Sequence, residues 1–131
     1  MSNEIKEPKE IKYIHFNVMI FLFIACYSDG KLSEEEALAI MGLTRNWCDE
    51  GTTDADVHKL VMEAYDWYAS LTSDQFLSLL SFSTKKLLGQ YSVEALKTLI
   101  DDIEIIAKAD GRYSKTEKYN VTLIKQAFSL P

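Results

Sequence analysis

Residues 18–27 read VMIFLFIACY, an unbroken apolar run with no polar stripe. A helix that is hydrophobic all round belongs inside a protein. The remaining apolar positions recur at helical spacing, and strand-like alternation of Val, Ile and Thr is absent. Pro8 and Pro131 are the only prolines, so nothing between them forbids helix. The pattern predicts six helices, over about 11–28, 33–47, 54–70, 73–89, 92–108 and from 114 to the C-terminus. In the third, Val57, Leu60, Val61, Ala64, Tyr65, Tyr68 and Leu71 form the apolar stripe, and Trp67 falls beside it. Gly89 reads as the C′ glycine that stops the fourth. Ser92 reads as the cap of the fifth. The expectation is one all-α domain, a bundle over residues 11–131 preceded by a tail over 1–10.

The apolar run raises the question of an anchor or a signal. A spanning helix needs about 20 apolar residues, roughly twice this length. The start, MSNEIKEPKE, is mixed in sign, and no small-residue cleavage site follows the run. A buried core helix is the favoured reading, with no direct membrane insertion.

Composition narrows the function classes. The chain has 131 residues, a net charge of −6, 47% hydrophobic and 26% charged residues, as expected for a globular domain. Its acidity and lack of a basic run argue against nucleic acid as a partner, because phosphate binding relies on Lys and Arg. Cys26 and Cys48 have no metal-like spacing. Cys26 lies in the apolar run, where a buried, reduced thiol is the usual state. A cytoplasmic setting follows as the expectation.

Two stretches repeat one another. Tyr27–Glu36 reads YSDGKLSEEE, and Lys108–Glu117 reads KADGRYSKTE. The match extends backwards, pairing Met19 with Ile100, Leu22 with Ile103, Ile24 with Ile105 and Cys26 with Ala107. The chain therefore reads as two helical hairpins of one design, with the third and fourth helices as a connection.

Most letters of the motif are explained by turning a corner. Gly30 and Gly111 can take the left-handed conformation that ends a helix. Ser33 with Glu36, and Ser114 with Glu117, form capping boxes. Leu32 and Tyr113 can fold back on the preceding helix or staple the next. Asp29 and Asp110 remain unexplained, because a carboxylate is unfavourable at the negative end of a helix dipole. Lys31, Arg112, the following helix N-terminus or a bound cation would compensate.

The cation has a specific motivation. Asp-Gly, an apolar residue two places on and Glu seven after the Asp match the second half of an EF-hand loop. The first half is missing, since its ligand positions hold Ala25 and Tyr27 in one copy and Ile106 and Lys108 in the other. The expectation is a weak oxygen-ligand site for Ca2+ or Mg2+ using Asp29, Glu36, Asp110 and Glu117, as one shared site or two.

Ser28-Asp29-Gly30 with Ser33 and Glu36, and Ala109-Asp110-Gly111 with Ser114 and Glu117, resemble the tellurite-resistance TerB-like family, which includes the N-terminal domain of DjlA-type co-chaperones. The resemblance covers most of the chain, though the third and fourth helices carry no matching motif. It implies a small helical domain without a settled enzymatic activity, associated with metal binding through acidic residues at these turns.

Other chemistry is thin. His15 reads as a half-buried structural histidine, about 20 Å from Asp29 along the helix. His58 lies among Asp54, Asp56 and Glu63 on a solvated face. The sequence contains no HExxH, no CxxC and no phosphate-cradling glycine loop. Three functions follow in order: a non-catalytic module binding a divalent cation or protein partner, in stress response or assembly; a protein–protein interaction module whose turns are purely structural; and a metal-dependent enzyme using the acidic turns. The last lacks a nucleophile, base or phosphate loop near those turns.

Overall fold

The computed structural model describes residues 4–27, 31–109, 111 and 113–130. Among them are six helices and no strand: α1 (Tyr13–Cys26), α2 (Glu34–Arg45), α3 (Asp54–Ala69), α4 (Ser73–Gln90), α5 (Val93–Lys108) and α6 (Lys115–Ala127). The expected all-α bundle is what forms.

The axis of the bundle is α1. Twelve of its 14 residues are buried, on every side of the helix. It packs most extensively on α4 and α3, and also touches α5, α2 and α6. This corrects the reading of α3 and α4 as a connection: they supply the main cover for the most apolar helix. Hairpin partners alone cannot surround a helix with no polar stripe. The repeated hairpins share their core positions only where this asymmetry permits. Met19 and Ile100, Leu22 and Ile103, and Cys26 and Ala107 are all buried. Ile24 is buried, but its counterpart Ile105 is 53% exposed, because α5 keeps an open face.

Side-chain caps set the helix starts. Ser33, Thr53, Thr72, Ser92 and Ser114 each accept a hydrogen bond from the backbone N–H three residues on. Such a cap is worth about 1 kcal/mol. In α3 the buried face is Val57, Val61, Ala64 and Trp67, so the indole packs in the core as expected. Tyr65 and Tyr68 flank it, half-buried.

One helix stop differs from expectation. Gly89 lies inside α4, which runs on to Gln90 and ends where Tyr91 turns extended. The cause is tertiary. The Tyr91 hydroxyl donates to Asn17 Oδ1 on α1 at 2.8 Å, and its ring stacks on Trp47 at 5.1 Å. Those contacts require the chain to leave the helix at Tyr91.

Residues 4–12 form a non-helical strap running antiparallel along α3. The Lys6 N–H donates to Ser70 Oγ at 2.9 Å, at the C-terminal end of α3. Pro8 is buried. Lys9 and Lys12 then lie across from Thr52, Asp56 and Lys59 at the other end.

Candidate acidic-turn site

The two repeated turns are built alike where they are described. Gly111 has φ +81 and donates its N–H to the Lys108 carbonyl at 3.0 Å, the left-handed helix stop expected of it. Gly30, Asp29 and Asp110 lie outside the described residues. Tyr113 does both things expected of it: its ring lies under Lys108 of α5 at 5.1 Å and under Lys118 of α6 at 5.3 Å. Leu32 is half-buried against the core.

Both capping boxes are complete. Glu36 N–H donates to Ser33 Oγ at 3.1 Å, and Ser33 N–H donates to Glu36 Oε1 at 3.0 Å. Ser114 and Glu117 repeat this at 3.1 and 3.0 Å. Two further boxes, Thr53 with Asp56 and Thr72 with Gln75, use the same geometry. These differ in environment, for Asp56 and Gln75 are exposed whereas Glu36 is 3% and Glu117 9% exposed. A carboxylate taken out of water is costly unless other groups compensate. The boxes after the Asp-Gly turns therefore set their acidic residue deeper than the boxes of α3 and α4 do.

Among the described residues, no group of three or more His, Cys, Asp and Glu side chains is arranged to hold a metal ion. Glu36 and Glu117 are thus the described half of the expected ligand set. Each is a hard oxygen donor, as Ca2+ and Mg2+ demand. In both boxes the capping bond is accepted by Oε1.

Elsewhere, neither cysteine is in a disulfide. The Cys26 thiol is buried and donates to the Leu22 carbonyl; Cys48 is partly exposed and donates to Thr44. Burial pushes the Cys48 thiol up, and the charge of Asp49 adds to it. His15 corrects the half-buried expectation, being only 1% exposed. His58 is exposed, as expected, beside Met41, Arg45 and Asp54. Sequence reasoning missed a buried polar brace. Trp47 Nε1–H donates to Asp102 at 2.8 Å, and Asp102 is buried on α5. An acid on the apolar side of the fifth helix was the available signal.

Among the described residues the chain is a six-helix bundle whose sequence writes one Asp-Gly and capping-box motif twice. The chain belongs to the family described as tellurite resistance protein TerB, whose model matches residues 15–131. Comparison with curated proteins gives no match, and comparison with solved structures gives none either. No helix among the described residues is long and apolar enough to cross a membrane.

Proposed function

We propose that this TerB family chain is a non-catalytic binding module that takes a hard divalent cation, Ca2+ or Mg2+, at its two Asp-Gly turns. Asp29, Glu36, Asp110 and Glu117 are the ligands, and the setting is stress response or protein assembly in the cytoplasm. The observation that carries this reading is the burial of Glu36 and Glu117, set against the exposed acceptors of the Thr53 and Thr72 boxes. Two carboxylates at equivalent buried positions, each followed back to an Asp-Gly pair, concentrate negative charge at helix junctions. A bound cation neutralises that charge.

The test is a thermal-shift series with Ca2+, Mg2+, Mn2+ and Zn2+ against a chelated control. Millimolar Ca2+ or Mg2+ raises Tm, with a stabilisation smaller than the roughly 2.7 kcal/mol given by a ligand at 100 times its Kd. Asp29→Asn and Asp110→Asn leave the metal-free protein about as stable and abolish the rise. Equal, non-additive losses indicate one shared site, and independent losses two. A wild-type Tm that no divalent ion moves overturns the cation reading.

A second reading, a protein–protein module with structural turns, draws on an exposed aromatic edge. Phe16 meets Tyr13 at 6.1 Å and Phe82 at 5.7 Å, both edge-on, and Lys86 lies over Phe82 at 5.3 Å. Phe82 and Tyr13 are exposed, as are Leu77 and Leu88 on the same α4.

A further inference from the structure

Two surfaces of the molecule are opposite in charge, and each carries an exposed apolar group. The first is the aromatic edge of α1 and α4. α1 contains no acid, lysine or arginine, and the only acid of α4 is Asp74, at the far end from Lys85 and Lys86. In a chain of net charge −6 this edge is locally basic. Its projecting group is Phe82, half exposed, which rests on Phe16 at 5.7 Å and lies under Lys86 at 5.3 Å.

The second surface is on α2. Its first turn holds Glu34 and Glu35, both exposed and neither in an ion pair among the described residues. One turn on stands Leu38, at 66% the most exposed large apolar side chain among the described residues. A further turn on is a hollow of about 310 Å3, lined by Met41, Gly42, Val57 and His58 and by the Arg45–Asp54 ion pair. Nothing lies within 4 Å of where a Gly42 Cβ would stand, so the hollow is open there.

We propose that these two surfaces dock on one another between copies of this chain, with Phe82 of one copy in the Gly42 hollow of the next and Lys86 against Glu35. The proposal rests on the second reading above, the aromatic edge as a protein-binding surface, and names its partner. Charge complementarity selects that partner. A basic aromatic edge is matched by an acidic helix that presents an apolar group of its own, and α2 is such a helix. Spacing agrees. Lys86 stands four residues from Phe82 and Glu35 seven from Gly42, about 6 and 10 Å along their helices. The flexible lysine stem spans the difference. Screening within about 8 Å at physiological salt leaves these local charges, rather than the net −6 of each copy, to decide the contact. Each surface presents only a few groups, so the association is weak.

The test is sedimentation equilibrium of the full chain in EDTA, which keeps the outcome independent of any cation. Between about 10 µM and 1 mM, the range of a weak interface, the average mass of the wild type rises to twice the monomer or more. Leu38→Glu and Phe82→Glu each stay monomeric. Mixed in equal amounts they regain association, because each keeps the surface that the other has lost. Should Phe82→Glu not fold, the exposed pair Lys86→Glu and Glu35→Lys serves: each alone is monomeric, and the mixture associates. A wild type that is monomeric at the top of that range overturns the self-docking and leaves the edge reading standing. Association that none of the four variants weakens overturns both. Variants that are monomeric alone and stay so when mixed overturn the pairing of these two surfaces.

Discussion

The indole N–H of Trp47 donates to the carboxylate of Asp102 at 2.8 Å, joining the segment after α2 to the buried face of α5. The same indole stacks on Tyr91 at the end of α4, whose hydroxyl reaches Asn17 of α1, so one brace links four parts of the bundle. Trp47→Phe keeps an aromatic ring but leaves a buried carboxylate without that donor. The expected cost is about 2 kcal/mol, read by urea unfolding. A double-mutant cycle with Asp102→Asn assigns the share due to the bond.

Asp102 also has a pH signature. Desolvation raises its pKa above the ordinary 3.8, the Trp47 bond lowers it, and Asp101 raises it. The native state holds this proton more tightly than the unfolded chain does. Its contribution to stability is present below 3.8 and is lost as pH rises through the raised value. In Asp102→Asn, unfolding free energy therefore falls less, or rises more, between about pH 4 and 7 than in the wild type.

Glu36→Gln and Glu117→Gln separate capping from ligation. Gln completes the same box, as Gln75 does for Thr72 with a 2.8 Å bond from the Thr72 N–H. Metal-free stability should change by less than about 1 kcal/mol. The cation-induced rise in Tm should shrink in both. An unchanged rise in both variants removes the glutamates from the ligand set.

Two glycines answer oppositely to alanine. Gly111 sits at φ +81, where a side chain is strained, so Gly111→Ala destabilises by about 1 kcal/mol. Gly89 is helical, with open space where a Cβ would stand, so Gly89→Ala stabilises by up to about 1 kcal/mol. Thermal melts of the pair check both signs.

Thiol titration of the unreduced protein should count two thiols after denaturation. In the native state Cys26 should be unreactive and Cys48 slow, because Cys26 is buried and burial raises the Cys48 thiol.

The helices were legible because their starts are chemical. Ser33, Ser92 and Ser114 announce caps, and the later Glu residues announce two boxes, all of which form. What escaped was decided by contacts distant in sequence. Gly89 read as a stop, yet the helix ends at Tyr91 because Asn17 and Trp47 hold that side chain. Placing the start of the first helix near residue 11 rather than Tyr13 hid His15 as the third residue of α1, and so hid its capping role. The importance of α3 and α4 carried no motif, although an apolar run without a polar stripe already required more cover than two hairpins provide. Of the acidic turns, the sequence made the boxes plain. It gave no sign that Glu36 and Glu117 would be buried while Asp56 stayed in solvent, since burial depends on which neighbours close over a helix end.

The central position of α1 has a consequence for synthesis. Every helix that covers it lies later in the chain, from α2 to α6. A growing chain therefore carries its stickiest segment uncovered until α3 and α4 have been made, the condition in which nascent polypeptides clump or recruit a holding chaperone. Ribosome-bound chains ending before α3 should draw such help, and the need should end once α4 emerges to dock against α1.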